Sequence, residues 1–288
     1  MTGDKLETIL DYQQLIDQSI RRLGGYWRTL SGLARVTEEV GELAELLITK
    51  EKNPDTIGGE LADVFIITTC LANQFATDLT QEYEDIGLPT NVSKIKCPDE
   101  NVSASDLLLA LMRRAGTIAR IINHYDGDKP MKRTEEQLSL GGQIALFHQE
   151  LFSFASALHT TVFDHVAKTV RKNLKRDQNR FAMTSDPITE PGAMEALELS
   201  TLFQQGSRFW SIRQWDASRS IEHNLSVTQL TVDRFKKCAH AEGLDGLILT
   251  MPPLQPDAHA QFQLDPTRFS VLTQKKADQY VTYKMKPI

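Results

Sequence analysis

Residues 38–47 read EEVGELAELL, and residues 58–66 read GGELADVFI. In both stretches apolar residues return every three or four positions, which is the period of an amphipathic helix. Within this apolar frame the acids form two pairs with a spacing of three residues: Glu39 with Glu42, and Glu60 with Asp63. On a helix, each pair projects from one side in adjacent turns. The two stretches therefore predict two helices that aim four carboxylates at one space.

Four carboxylates in one space would repel each other and would lose hydration, so the arrangement makes sense if divalent cations lie among them. Oxygen ligands suit hard ions such as Mg²⁺. The alternative for a single ExxE pair is an exposed acidic helix face. Glu60 and Asp63 argue against it, because the run LADVFII at residues 61–67 is so apolar that much of this helix must be buried.

The helical pattern continues to about residue 181, with breaks near residues 52–55, 86–101 and 125–134. Residues 183–193, MTSDPITEPGA, contain two prolines, a glycine and small polar residues, which is typical of a linker. We therefore expect a mainly α fold, with an all-α domain over residues 1–182.

Helix and strand patterns mix after this linker. Residues 247–251, 269–273 and 279–285 have strand character, and Gly243 is placed to end a preceding helix. These features predict a small α+β domain of unknown function over residues 194–288.

An internal repeat links two parts of the helical region. Residues 38–47 align with RRAGTIARII at residues 113–122. At a slightly larger offset, IGGELAD at residues 57–63 aligns with LGGQIAL at residues 140–146. An insertion in the loop between the two segments would explain the difference between the offsets. Chance similarity between two amphipathic helices is the alternative.

The second copy keeps the apolar frame and loses the acids. Copy one covers about residues 20–85, and the degenerate copy two covers about residues 103–181. The four acids of copy one are replaced in copy two by Arg114, Thr117, Gln143 and Leu146. This change favours a chemical function that is confined to copy one.

The motifs EVGELAELL and GGELADVFI resemble the MazG-like, all-α nucleoside triphosphate pyrophosphohydrolase superfamily, over roughly residues 20–181. The resemblance implies a tandem-duplicated MazG-like bundle that cleaves a (d)NTP between the α and β phosphates, giving a (d)NMP and pyrophosphate. It also implies Mg²⁺, with Mn²⁺ as a substitute, held by Glu39, Glu42, Glu60 and Asp63. Glu38 and Glu39 then become the catalytic candidates, with Glu38 an outer ligand or the residue that orients the attacking water.

Family members also grip phosphate with Lys, Asn and Arg side chains on the helix after the ExxD motif. Residues 78–91, which follow the first ELAD, contain no Lys or Arg and are acidic. The helix after GGQIAL carries six candidates: Lys168, Lys172, Asn173, Arg176, Asn179 and Arg180. We therefore expect a composite site built from both copies, in a pseudo-dimeric monomer or a homodimer. A solvated basic helix end is the alternative.

Tyr26 and Trp27 precede the first motif and are candidates for stacking on the nucleobase, although core packing is the commoner use of such residues. The formal net charge of −6 opposes an extended nucleic-acid surface. The acidic start and the absence of a long apolar run predict a cytoplasmic protein without a membrane partner.

A second class of function is a non-catalytic nucleotide sensor or adaptor, in which the C-terminal region recruits a partner. Residues 208–215, RFWSIRQW, motivate this alternative as a contact patch if Trp210 and Trp215 are exposed, although burial in the core is the commoner place for such aromatics. Hydrolysis should release pyrophosphate, whereas a sensor should bind the nucleotide without turnover.

Overall fold

The computed structural model describes most of the helical region and part of the C-terminal region. The described residues are 6–23, 25–95, 102–132, 138–177, 208–213, 220, 223, 234–235, 238–239, 241–251, 269–277 and 280–287. Within them the chain is mainly helical with one small sheet, as the sequence predicted.

The helices, in chain order, are α1 Ile9–Arg22, α2 Thr29–Thr49, α3 Pro54–Gln74, α4 Leu79–Asp85, α5 Ala104–Asp126, α6 Leu140–Ala157 and α7 Phe163–Asp177. The strands are β1 Phe209–Arg213, β2 Gly246–Met251, β3 Phe269–Ala277 and β4 Tyr280–Pro287. None of the described helices is long and apolar enough to cross a membrane.

The two motif helices form where the sequence pattern predicts them. Val36, Val40 and Leu43 recur at helical spacing on α2, and all three are buried. Asn53 caps α3, because its side chain accepts a hydrogen bond from the backbone of Asp55. The predicted break near residues 52–55 overlaps the link between α2 and α3, which is residues 50–53.

The helices form a bundle around one hydrophobic core. α2 packs on α3 and α5, while α6 packs on α3 and α5. α7 lies against α3, and α4 lies against α6. α1 contacts α3, α4 and α7. As a result, α3 is covered on several sides, which explains why so much of its surface is apolar.

The sheet has the strand order β1-β2-β4-β3. β1 and β2 run parallel, whereas β4 is antiparallel to both β2 and β3. The three predicted strands are present as β2, β3 and β4. Gly243 has a φ of 62°, and Leu244 N–H donates to Ala239 O at 2.9 Å. Both features are typical of a helix that ends at a glycine, as the sequence indicates for Gly243.

β1 was not among the predicted strands, and it decides between the two interpretations of Trp210 in favour of a core aromatic. Trp210 is fully buried, and its ring stacks on Phe75 with a centroid distance of 5.7 Å. The Arg208 side chain donates to Ala76 O at 3.0 Å, at the end of α3. Tyr125 of α5 donates its hydroxyl to Glu242 at 2.5 Å. The strands and the helices therefore share a core. Trp215 and the expected linker at residues 183–193 lie outside the described residues.

Gly246 sits where β2 meets its two neighbours. A Cβ added there would lie 2.2 Å from Met285 O and 2.5 Å from the Phe209 ring. We expect Gly246→Ala to lower the free energy of unfolding by about 1–3 kcal/mol, because a backbone carbonyl cannot move aside cheaply. Urea denaturation measures the change.

Gly116→Ala is the matched control, because a Cβ at Gly116 of α5 would meet nothing within 4 Å. It should leave the free energy of unfolding unchanged or raise it by up to about 1 kcal/mol, since alanine favours a helix interior. Equal destabilisation by the two substitutions would contradict the close approach at Gly246.

Candidate active site

The four predicted carboxylates lie on facing parts of α2 and α3, and three of them converge. One oxygen from each of Glu39, Glu42 and Glu60 lies within 4.8 Å of the others. We call these three residues the carboxylate cluster. Asp63 stands beside the cluster and turns toward α7, where its Oδ1 accepts a hydrogen bond from Asn173 Nδ2 at 2.9 Å. The ExxE pair and Glu60 of the ExxD pair thus meet as the sequence predicts.

The cluster suits a divalent cation by its chemistry. Its donors are all carboxylate oxygens, which are the ligands that hard ions such as Mg²⁺ prefer. Glu39 is almost wholly buried, Glu60 is half-buried and Glu42 is exposed, so one side of the cluster is open to a ligand. Like charges this close in a partly dry place are unfavourable unless a cation or a proton neutralises them.

The pKa values of the acids reflect this crowding. Burial raises the pKa of Glu39 to about 8; Arg35 opposes the rise, while Asp63 and Glu42 add to it. Burial, followed by Glu42 and Asp63, raises the pKa of Glu60 to about 7. Burial also raises the pKa of Asp63, against the hydrogen bond from Asn173 and the charge of Lys172.

These pKa values set the pH dependence of stability when metal is chelated. A carboxyl group with a raised pKa keeps a proton that the unfolded chain has lost, so stability falls as pH rises from the ordinary value of 4.5 to about 8 for Glu39. Burial lowers the pKa of His148 to about 3, which acts in the opposite direction but only below its ordinary value of 6.5. The window from pH 6.5 to 8 therefore isolates the acids.

In EDTA, we expect the free energy of unfolding to fall from pH 6.5 to pH 8. Glu39→Gln should reduce this slope, because glutamine stays neutral throughout. Urea titrations at several pH values measure the slope for both proteins. A flat or rising curve for the unsubstituted protein would contradict the raised pKa values.

α7 brings part of the predicted basic group to the carboxylates. The positive charge of Lys172 acts on Glu60 and Asp63, and that of Arg176 is linked to Asp63 and Glu39. The guanidinium of Arg176 also forms two hydrogen bonds to its neighbour Asp177, at 2.8 and 2.9 Å. The side of the site opposite α2 is therefore cationic.

The other candidates on the basic stretch have different outcomes. Asn173 is placed in the site by its bond to Asp63, and its Oδ1 is buried without a hydrogen-bond partner among the described residues. Lys168 instead pairs with Asp55 at 2.7 Å, and both side chains are largely exposed. Asn179 and Arg180 lie outside the described residues. An orphaned buried acceptor is uncommon, so Asn173 is the α7 residue best placed to meet a ligand.

Arg35 is a site residue that the motifs did not suggest. It precedes Glu39 by one helical turn, and its guanidinium donates to both Glu38 and Glu39. Glu38, the other catalytic candidate, is about half exposed and lies on the outer side of this bridge. The spacing of four residues between Arg35 and Glu39 was the available signal in the sequence.

An apolar cavity adjoins the carboxylates between α1, α2, α3 and α7. Its walls include Ile16, Ile20, Ile66 and Leu71, and its polar rim carries Arg35, Glu39, Asp63, Asn173 and Arg176. A cavity with this division can hold an apolar ring at one end and charged groups at the other.

Both predicted stacking residues line this cavity. Tyr26 is buried, and its hydroxyl donates to Asp17 Oδ1 at 2.5 Å, while Arg21 binds the other oxygen of Asp17 at 2.8 Å. This network fixes the Tyr26 ring in the wall. The backbone carbonyl of Trp27 accepts a hydrogen bond from Gln74 at 2.6 Å, which ties the loop before α2 to α3.

The corresponding place in copy two holds an internal ion pair. Arg114, which aligns with Glu39, donates to Gln143 at 2.8 Å and to Glu150 at 2.9 Å. Gln143 aligns with Glu60. The Arg114 guanidinium thus supplies positive charge where copy one has the carboxylate cluster, and the described residues here form no acidic cluster.

Comparison with known proteins gives one match. Residues 28–102 match the family model "MazG nucleotide pyrophosphohydrolase domain". Searches of curated proteins and of solved structures found no match. The matched segment contains α2 and α3, and so all four predicted metal ligands. This family is a hydrolase family, and its enzymes typically depend on a divalent metal. Residues 28–102 are therefore similar to the MazG nucleotide pyrophosphohydrolase domain family.

Proposed function

We propose that the chain is a Mg²⁺-dependent pyrophosphohydrolase that cleaves a nucleoside triphosphate between the α and β phosphates. One observation carries the proposal: both acidic motifs of the segment that matches the MazG family contribute carboxylates to a single cluster, within 4.8 Å. An apolar cavity and a cationic helix border the same cluster. A nucleoside triphosphate needs all three surroundings.

Glu39, Glu42, Glu60 and Asp63 would hold the divalent cation. When bound, Mg²⁺ or its substitute Mn²⁺ would neutralise charge on the phosphates and lower the pKa of a bound water. Lys172 and Arg176 lie where they favour negative charge next to Asp63. Asn173 holds Asp63 and offers its free carbonyl oxygen to a donor group of the ligand.

The reaction balances without a further reactant. The oxygen of a water molecule forms a bond to the α phosphorus, and the bond from this phosphorus to the oxygen that bridges it to the β phosphorus breaks. Pyrophosphate leaves with the bonding electrons, and one proton of the water passes to a carboxylate. Glu38 or Glu39 orients this water and accepts the proton. Positioning and charge neutralisation do most of the work in such a transfer.

We also propose that the bundle is a tandem duplication. When residues 38–47 are laid on residues 113–122, the first residue of α2, Thr29, falls on the first residue of α5, Ala104. When residues 57–63 are laid on residues 140–146, the last residue of α3, Gln74, falls on the last residue of α6, Ala157. The residues two positions later have left-handed backbones in both copies, with a φ of 50° at one and 55° at the other. Chance similarity of two apolar stripes does not require these two helix ends to coincide; the other two ends differ by two and three residues.

Reciprocal packing supports a pseudo-dimer within one chain. A Cβ at Gly58 of α3 would come within 2.3 Å of the His165 ring on α7. A Cβ at Gly141 of α6 would come within 2.3 Å of Glu82 on α4. In the alignment of residues 57–63 with residues 140–146, Gly58 matches Gly141, and the same offset matches Glu82 with His165. Each copy thus lends its last helix to the other, as identical subunits do across a two-fold axis.

In this arrangement the site is composite. α2 and α3 of copy one provide the acids, and α7 of copy two provides Lys172, Asn173 and Arg176. Residues 1–182 would then form one catalytic unit, followed by the linker at residues 183–193 and the strand-containing unit at residues 194–288. A monomer with this layout holds a complete site, and pairing of two chains remains compatible with it.

The sensor alternative loses part of its support. It relied on an exposed aromatic patch at residues 208–215, but Trp210 is buried between the sheet and α3. Hydrolysis is therefore the function that the described residues favour.

One assay tests the proposal. The protein is incubated with Mg²⁺ and each ribo- and deoxynucleoside triphosphate, and free phosphate is measured with and without added inorganic pyrophosphatase. Phosphate that appears only after pyrophosphatase is the expected result. Phosphate without pyrophosphatase would overturn the proposal, and so would no product from any nucleotide. Nucleotide binding without turnover would favour the sensor.

A further inference from the structure

Arg35 connects the carboxylate cluster with the cavity. Its guanidinium donates to Glu38 and Glu39, which lie three and four residues further along α2. The same side chain lines the cavity together with Asp63, Asn173 and Arg176. About a third of the Arg35 side chain is exposed, whereas only 3% of the Glu39 side chain is exposed. Arg35 can therefore move toward the cavity more easily than Glu39 can.

The guanidinium and a divalent cation need the same carboxylate. Glu39 belongs to the cluster whose oxygens lie within 4.8 Å of each other, and one of its oxygens already accepts from Arg35. Two positive groups on one buried carboxylate repel each other in a medium of low dielectric constant. Arg35 thus occupies Glu39 most favourably when no other cation does.

We propose that Arg35 exchanges partners during binding: it leaves Glu39 when a divalent cation is held there, and it then donates to the phosphate nearest the nucleoside. The proposal rests on the pyrophosphohydrolase function. The planar guanidinium carries five N–H donors and matches phosphate oxygens in a two-point contact. Arg35 would then be a catalytic residue, because the phosphate nearest the nucleoside is the one attacked.

The position of Arg35 selects this phosphate over the other two. Arg35 lies on the rim where the apolar cavity meets the cluster, so a ligand in the cavity passes it first. Arg176 of α7 lies on the same rim, whereas Lys172, which acts on Glu60 and Asp63, does not line the cavity. With the nucleoside in the cavity, Lys172 would lie beside the distal phosphates, and Arg35 would meet the first phosphate at the rim, next to Glu39.

The metal affinity of the protein without nucleotide tests the exchange. We expect Arg35→Met to bind Mn²⁺ about 10-fold more tightly, because the competing cation is gone. Electron paramagnetic resonance of free Mn²⁺ gives the dissociation constant. Arg113→Met is the control, since Arg113 is an exposed arginine that pairs with Glu150 in copy two. It should leave Mn²⁺ affinity unchanged.

An arginine that merely holds Glu39 in place would give the opposite result. In that case Arg35→Met would disorder the ligand, and Mn²⁺ affinity would fall or stay the same. Either result overturns the proposal. Thermal unfolding of both variants in EDTA shows whether a change in affinity comes from a loss of folding.

Arg35→Met should raise the affinity for Mn²⁺ but lower the rate of the reaction. We expect Arg35→Met to lower kcat for pyrophosphate release by about 10²-fold, as for the loss of one preorganised donor to a developing charge. Arg35→Lys should recover part of kcat, because it keeps the charge and loses the two-point geometry. Unchanged kcat in Arg35→Met would overturn the phosphate contact.

Failure of this inference can be told apart from failure of the proposed function. If the unsubstituted protein releases no pyrophosphate, the function fails, and Mn²⁺ binding still measures the competition at Glu39. If the protein turns over and Arg35→Met binds Mn²⁺ less tightly, only the exchange fails.

Discussion

Glu42→Gln is expected to lower the rate of Mg²⁺-dependent pyrophosphate release by about 10³-fold or more, which corresponds to a loss of about 4 kcal/mol in transition-state stabilisation. Glu42 is the exposed member of the carboxylate cluster, so its oxygen faces the open side. Glutamine keeps the size of the side chain and removes its charge. Asp63→Asn should have a similar effect for the same reason. Steady-state kinetics at saturating Mg²⁺ measure the loss.

Glu45→Gln is the matched control for Glu42→Gln. Glu45 lies three residues further along α2, is exposed, and is not a member of the cluster. It should change the rate by less than about twofold, because exposed charges are well screened. A Glu42→Gln protein that keeps more than a tenth of the activity would show that the cluster does not hold the catalytic metal.

Asn173→Asp is the second substitution with a large expected effect. The Asn173 amide donates to Asp63 Oδ1 at 2.9 Å, and a carboxylate in its place would face another carboxylate at that distance. The extra negative charge would also repel the phosphates. We expect kcat/KM to fall by about 10³-fold for Asn173→Asp and by about 10²-fold for Asn173→Ala, which loses the contacts without adding charge.

Arg171→Ala is the control for helix α7. Arg171 lies two residues before Asn173 and is exposed, so its removal should change kcat/KM by less than about threefold. If Asn173→Ala also stays within threefold, Asn173 holds neither Asp63 nor the substrate in a way that matters for the reaction.

The sequence predicted the acidic half of the site because its signal is local. A spacing of three residues on a helix fixes which side chains share a face, and two such helices in succession pack side by side. Glu39, Glu42 and Glu60 converge for this reason. The direction of Asp63 was not predictable, because it depends on Asn173, which lies far along the chain on α7.

For the basic half of the site, the sequence predicted the stretch that carries the polar residues but not which of them reach the carboxylates. Six polar candidates occupy the single stretch 168–180, but a helix turns only one side toward its neighbour. Lys172 and Asn173 lie beside Glu60 and Asp63, whereas Lys168, one turn before Lys172, pairs with Asp55 at the exposed start of α3. The apolar residues of α7 indicate which side packs, since Val166 and Val170 recur at helical spacing, but they do not indicate which part of α3 each polar residue reaches.

Arg35 and the Asp17–Tyr26 network escaped the sequence interpretation for another reason. An arginine four residues before a glutamate is common on exposed helices, where such a pair adds little. Here the pair matters because Glu39 is buried, and burial follows from the packing of α2 and not from its own pattern. Tyr26 suggested base stacking, but its hydroxyl has a buried partner in α1.

The C-terminal region divides in a similar way. β2, β3 and β4 carry enough apolar and β-branched residues to be predicted as strands. β1 was missed, because its aromatic residues were weighed as a contact patch or as core residues, and neither interpretation specifies a strand. Trp210 instead fills the junction with α3, and contacts between distant segments of a chain leave no local signal.

Hydrolysis in water enriched in ¹⁸O tests the central claim most directly. The protein is incubated with Mg²⁺ and a nucleoside triphosphate that it hydrolyses. ³¹P NMR then identifies the products and shows which phosphorus atom carries the label. We predict two products, a nucleoside monophosphate that carries the ¹⁸O and an unlabelled pyrophosphate, and neither product in the Glu42→Gln protein. Label in the pyrophosphate, or orthophosphate with a nucleoside diphosphate, would contradict attack on the α phosphorus at the carboxylate cluster.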